Sequence, residues 1–226
     1  MIVALFDSDG TLYSNQMGRG MMKYEELYGS KTAARLYFAS LLPGFVLNKL
    51  GFMKPEAFQH TLLNGLTKFI KGLKIKGAAS RFEWLVNEFL LMSQRTDVVA
   101  RLKDHQSQGH LVVIASGSFT PCLDLIGKHF GVSHLIGTQL EVSNDKYTGK
   151  MIPPVITGKA KAEKVRELLS ACGVDVEWLS SYAYGDSFTD REMLSLVGNP
   201  VAVYPDKKLF ALATEQNWEV IGTRKD

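Results

Sequence analysis

The chain has 226 residues, 46% of them hydrophobic, and its 26 basic and 23 acidic side chains give a formal net charge of +3. This composition excludes disordered and collagen-like chains and is ample for one large domain, or for a core with a modest second lobe. The charge is too small to argue for a nucleic-acid partner.

Met1–Phe6 (MIVALF) runs straight into Asp7. It has no basic n-region and is too short for a signal peptide, so residues 2–6 read as a buried strand. Residues 15–94 contain no convincing strand. Their apolar residues recur at helical spacing, as in Phe58, Leu62, Leu63, Leu66, Phe69 and Ile70, then Phe82, Leu85, Val86, Phe89 and Leu90. The expectation is a helical insertion of about four or five helices. It carries 11 basic and 5 acidic residues, a net +6, against −3 for the rest of the chain. Positive charge near a site for an anionic substrate is one reading of that contrast, and a solvated helical surface is the other. The longest apolar run, 36–47, is interrupted by Pro43-Gly44 and is too short to span a membrane.

Beyond the insertion, helix and strand patterns alternate. Helices are predicted at 96–108, 119–130, 159–172, 187–196 and 206–216, and strands at 111–115 (LVVIA), 180–184, 200–204 and 218–221. Asn144-Asp145 and Thr148-Gly149 mark turns within 135–151, which reads as a hairpin excursion. Continuously apolar strands alternating with helices predict an α/β fold with a doubly wound, mostly parallel Rossmann-like sheet. The two cysteines, Cys122 and Cys172, form no CxxC pair and lie in helix-like stretches. They read as buried reduced thiols of a cytoplasmic protein. The five histidines (60, 105, 110, 129 and 134) show no ligand spacing.

Four loops at one edge of the predicted sheet carry the chemistry. Asp7 and Asp9 emerge where the first strand ends, the place at which open α/β sheets bind ligands, and Gly10 lets the chain turn. One carboxylate can attack phosphorus and the other can act as acid and base. A calcium loop fails, because Gly10 is fourth rather than sixth and Gly18 stands where the twelfth-position Glu belongs. Ser116-Gly117-Ser118 follows LVVIA and suits a phosphate oxygen, or a helix cap. Gly158-Lys159-Ala160-Lys161 opens a helix with a lysine able to neutralise phosphoryl charge, and Lys159 and Lys164 are alternatives to Lys161. Asp186 and Asp190 could share a metal, although Ser187-x-x-Asp190 also reads as a capping box. Together these are the parts that phosphoryl transfer needs.

In that order, DSDGT (7–11), SGS (116–118), Gly158-x-x-Lys161 and GDSFTD (185–190) resemble the haloacid dehalogenase-like superfamily, in its phosphoserine-phosphatase-like branch. The resemblance covers nearly the whole chain. It implies a catalytic core of 1–14 and 95–226 under a mobile helical cap of 15–94, and a Mg²⁺-dependent phosphomonoester hydrolase. Asp7 would become phosphorylated and ligate Mg²⁺. Asp9 would be the acid/base and lend its backbone carbonyl to the metal. Ser116 and Lys161, with Thr11 and Gly117, would hold the phosphoryl group. Asp186 would complete the metal site and Asp190 would support it. The implied partner is a small phosphate monoester.

The chain departs from phosphoserine phosphatases at Gly10, at Ser118, and in having Asn15-Gln16-Met17 and no acid before Glu25 where they carry a glutamate for the substrate amine. Those departures argue against an amino-acid substrate. Other readings are a phosphotransferase or mutase with the same nucleophile and a non-catalytic binding module. A further one is a lipid-phosphate phosphatase, since 68–76 alternates lysines with apolar residues in a way that suits an anionic membrane surface.

Overall fold

A computed structural model of the chain describes residues 1–223. The strands are β1 (Val3–Phe6), β2 (Leu111–Phe119), β3 (His134–Ser143), β4 (Lys146–Ile152), β5 (Tyr182–Gly185), β6 (Asn199–Val203) and β7 (Glu219–Ile221). They form one seven-stranded sheet of order β4-β3-β2-β1-β5-β6-β7. Every neighbouring pair is parallel except β3–β4. Central β1 pairs through Leu5 with Val113 of β2 and with Ala183 of β5. Alternation along β1 sends Ala4 and Phe6 to one face and Val3 and Leu5 to the other, and each pair joins a separate apolar cluster.

Between β1 and β2 come α1 (Met17–Tyr28), α2 (Lys31–Lys49), α3 (Pro55–Leu66), α4 (Ile75–Trp84), a π-helical turn over Leu85–Leu90, and α5 (Thr96–Ser107). Then follow α6 (Thr120–Phe130), α7 (Gly158–Ala171), the short α8 (Arg191–Leu194) and α9 (Lys207–Glu215). Val98 and Leu102 of α5 and Leu123 and Ile126 of α6 cover the Phe6 face together with the insertion. Val165 and Leu169 of α7 and Leu209 of α9 cover the Leu5 face. The doubly wound α/β architecture expected from the alternating pattern is the one observed. Among the described residues no helix is long and apolar enough to cross a membrane.

Two expectations need correction. The segment 135–151 does form a hairpin, with Asn144 and Asp145 in the left-handed region at φ 50° and 61°. Its first strand, however, pairs in parallel with β2 and extends the main sheet, because Ile136 and Leu140 are buried there. Cys122 is buried as expected, but Cys172 caps the C-terminal end of α7 and is exposed. In the stretch 68–76, Ile70 is buried and Phe69 and Leu73 pack against the core, while Ile75 and the four lysines are exposed.

Two histidines without ligand spacing meet in the fold. His105 Nδ1 lies 2.8 Å from His110 Nδ1, and His105 Nε2 lies 2.9 Å from the Tyr184 hydroxyl. Phe6 stacks on Tyr184 at 4.3 Å beside them. Burial, helped by His110, pushes His105 down to about 4. Its unfolded value is higher, so protons favour the unfolded chain as pH falls from about 6.5 to about 4. The stability that neutral His105 provides is complete above that window and lost through it. Urea unfolding should show wild type losing on the order of 2 kcal/mol more than His105→Gln between pH 7 and pH 4.5. Equal losses would show that His105 is not the titrating group.

Candidate active site

The carboxyl ends of β1, β2 and β5 converge with the first turn of α7. Asp7 follows β1 directly, and its backbone N–H donates to the Tyr184 carbonyl of β5 at 2.9 Å, which fixes where its side chain leaves the sheet. Asp7 Oδ1 accepts from Lys161 Nζ at 2.7 Å, and Oδ2 from the Thr11 hydroxyl at 3.2 Å. Lys161 Nζ also donates to Asp190 Oδ1 at 2.6 Å. Asp190 Oδ2 in turn accepts from Ser187 N at 3.1 Å and Ser187 Oγ at 2.9 Å. The capping-box and functional readings of Ser187-x-x-Asp190 thus hold together: the box turns Asp190 toward the lysine.

Of the three candidate lysines, Lys161 alone enters the site. Lys159 and Lys164 pair with Glu163 and Glu167 on the outer surface of α7. Asp7, Asp186 and Asp190 are buried and each brings a carboxylate oxygen within 4.8 Å of the others. Burial, with Asp190 and Asp9 nearby, raises the Asp7 carboxyl above its ordinary value despite Lys161. Burial alone would lower Lys161, but Asp190 and Asp7 together hold its ammonium above the ordinary lysine range. Lys161 lies within this group of carboxylates, and the Arg95 guanidinium interacts with Asp186 from beside it.

Gly10 makes that cluster sterically feasible. Its φ is +88°, and a Cβ placed there would lie 2.2 Å from Asp186 Oδ2. Gly10→Ala must strain the backbone and displace Asp186. It should destabilise the protein by about 2 kcal/mol, seen as a melting temperature about 4–8 °C lower. An unchanged melting temperature would show that the turn accepts a side chain.

Asp9 points elsewhere. Its Oδ1 accepts from the Tyr13 hydroxyl at 2.8 Å and the Ser118 hydroxyl at 3.0 Å, and Oδ2 from the Met17 backbone N–H at 2.7 Å. Met17 is the first residue of α1, so the Asp9 carboxylate joins the sheet edge to the start of the insertion. Burial raises its pKa above the ordinary carboxylate range, opposed by the Met17, Tyr13 and Ser118 bonds. Ser116 is buried, and its Oγ accepts from Ser8 Oγ at 2.6 Å and from Ser118 N at 3.2 Å. Ser8 and Tyr13 were not singled out in the sequence, and Ser118 was named only as part of the SGS run. Tyr13, four residues beyond Asp9, and the second serine of SGS carried the only local signal.

The insertion reaches the same edge. Gln59 of α3 accepts from the Thr157 hydroxyl at 2.5 Å, and a Cβ on Gly117 would lie 2.6 Å from its amide nitrogen. Glu56 pairs with Arg191 at 3.2 Å and packs against Gly158. Beside Gly10 a polar cavity of about 430 Å³ is lined by Ser14, Gln16, Arg19, Arg95 and Tyr204. Arg95 Nε donates to the Gly10 carbonyl at 2.9 Å, with its guanidinium 3.7 Å above the Tyr204 ring.

Residues 4–195 match the family model for haloacid dehalogenase-like hydrolase. Phosphoserine phosphatase SerB1 of Mycobacterium tuberculosis is 28% identical over 232 residues, covering 96% of this chain and 69% of its own. The histidinol-phosphatase of Neisseria meningitidis is 32% identical over 122 residues, 53% of this chain and 55% of its own. Among solved structures, a Bordetella pertussis protein of unknown function superposes with a TM-score of 0.83 at 23% identity, covering 97% of both chains.

Proposed function

The chain belongs to the haloacid dehalogenase-like hydrolase family, and from that premise we propose that it is a Mg²⁺-dependent phosphatase of small phosphomonoesters that works through an aspartyl-phosphate on Asp7. Phosphatase activity itself accords with the phosphoserine phosphatase and the histidinol-phosphatase among its relatives. One observation carries the mechanism: Lys161 bridges Asp7 and Asp190, and Asp186 brings a third buried carboxylate within 4.8 Å of both.

The donor set fits a Mg²⁺ ion, being three buried carboxylates with hard oxygens within 4.8 Å of one another. Asp7 and Asp186 would hold the ion, with Asp190 behind them and the Asp9 backbone carbonyl as a further oxygen. Bound there, it would offset the negative charge of the phosphoryl oxygens. The chain's own groups account for the rest. An Asp7 oxygen forms a bond to phosphorus as the bond to the ester oxygen breaks. Asp9, in its protonated form, gives its proton to the departing alkoxide. Asp9 then takes a proton from the water that attacks the aspartyl-phosphate, releasing phosphate and restoring Asp7. Thr11, Ser116, Gly117 and Lys161 steady the phosphoryl group, and residues 15–94 act as a cap that excludes water.

An amino-acid substrate is disfavoured by the fate of Glu25. That side chain is buried, ion-paired to Arg81 and bonded to Ser30 N, so it is committed to the insertion's own structure. The cavity beside Gly10, with Arg19 and Arg95, suits a polar or anionic leaving group instead.

Phosphate release from a panel of phosphomonoesters, with Mg²⁺ or EDTA, tests the reading. Release in Mg²⁺ and none in EDTA supports it, and release from no ester overturns it. Asp9→Asn should lower turnover of poor leaving groups such as alkyl phosphates by about 10²–10⁴-fold, and that of p-nitrophenyl phosphate less. Equal losses for both would assign Asp9 a role other than proton transfer.

A further inference from the structure

Helix α2 buries little of its apolar surface. Ala34, Tyr37 and Gly44 face inward: Ala34 is buried, the Tyr37 hydroxyl donates to the Leu62 carbonyl at 2.6 Å, and Gly44 abuts Phe58. On the rest of the helix and the turn after it, Leu36, Leu42, Phe45, Val46, Leu50 and Phe52 are 50% to 81% exposed. Single exposed apolar residues are ordinary on a protein surface, but a contiguous set of this size marks a surface that meets something.

Charge indicates what it meets. Lys31, Arg35, Lys49 and Lys54 flank the apolar residues and are exposed, and residues 27–55 contain no Asp or Glu. Among the described residues none of the four is ion-paired. A second copy of the chain packed here about a two-fold axis would set these cations against their own copies, with no carboxylate in the stretch to answer them. A partner that is apolar within and negative at its boundary answers both features. An interfacial helix has this composition, with aromatic and aliphatic residues sunk below the headgroups and cations at their level.

We infer that the outer face of α2, with the turn leading into α3, is a docking surface for an anionic lipid bilayer, on which the helix lies flat. It cannot span, since no described helix meets that requirement. The turn at 50–54 leads directly to Glu56 and Gln59, which contact Arg191, Thr157 and Gly117 near the end of β2. Docking therefore brings the bilayer to the same corner of the insertion that overlies the candidate site. The inference stands whether or not the phosphatase reading does.

Vesicle sedimentation of the full chain tests it, using equimolar phosphatidylglycerol and phosphatidylcholine against phosphatidylcholine alone. Two variants accompany wild type: Leu42→Ser with Phe52→Ser, and Arg35→Glu with Lys49→Glu. All four positions are exposed, and circular dichroism checks that each variant is folded. Wild type should pellet with the anionic vesicles only. Each variant should partition at least about tenfold less. Wild type left in the supernatant, or pelleting that neither variant weakens, overturns the inference. So does a dimer, seen by analytical ultracentrifugation, that Phe52→Ser dissociates, because a second copy would then cover the face.

Discussion

Phosphate release by the Asp7→Asn protein is expected to fall by at least about 10⁴-fold, to the limit of detection, while the protein stays folded. The amide is a poor nucleophile toward phosphorus, and it also removes one anionic ligand of the proposed Mg²⁺ site. Its oxygen can still accept from Lys161, so the contact that orders the site survives in weakened form. Burial and the neighbouring Asp190 make the Asp7 charge costly to the folded state, as the raised pKa records. The substitution removes that cost. In EDTA the variant should therefore melt at the same temperature as wild type or above it, and circular dichroism melts run beside the assay will show this. Loss of activity with retained stability isolates the chemistry. Turnover within tenfold of wild type would remove Asp7 from the role of nucleophile.

Lys161→Met tests the charge balance rather than the attack. Methionine fills a similar volume but leaves the buried Asp7 and Asp190 without the ammonium that each contacts. Breaking a buried ion pair from one side costs about 3–5 kcal/mol, because the remaining charge stays desolvated. Urea unfolding at pH 7 in EDTA should show a loss of that order. Millimolar Mg²⁺ should restore part of it, since the cluster then regains a cation. Phosphate release should fall by at least about 10²-fold even in saturating Mg²⁺, as the phosphoryl group loses a fixed positive partner. A variant as stable as wild type in EDTA would mean that the carboxylates do not depend on Lys161 for their charge.

The parts of this site that lie close together in sequence were legible there. Asp7, Asp9 and Gly10 follow one strand, Ser187 and Asp190 make one local box, and Asp186 ends another strand, so spacing alone placed each of them at the sheet edge. Choosing Lys161 over Lys159 and Lys164 was beyond spacing, because the choice depends on which face of α7 packs on the sheet. The surroundings of Asp9 were hidden for a similar reason. Tyr13 is four residues away, but Ser118 arrives from 109 residues along the chain, and only the β1–β2 pairing brings it near. His105 and His110 show no ligand spacing, and they meet because the chain turns back at Gly109 between α5 and β2. Cys172 misled because its helix ends at that residue, which turns an apolar-looking position into an exposed cap. In α2 the apolar run resembles core in one dimension, and only three dimensions show that most of it meets nothing.

The chain leaves the sheet for the insertion and returns to it at almost one point. Ser14 N bonds to the Ser93 carbonyl at 2.9 Å, and Arg95 N bonds to the Leu12 carbonyl at 2.9 Å. Eighty or so residues thus begin and end at a single seam, and a short turn could close the gap they leave. Such a seam makes the segment exchangeable: lineages could swap, shrink or enlarge it by recombination at two neighbouring breakpoints while Asp7, Lys161 and Asp186 keep their scaffold. Selectivity and chemistry would then diversify on separate evolutionary clocks, and a graft of another insertion at residues 14 and 95 is the natural protein-engineering use of the join.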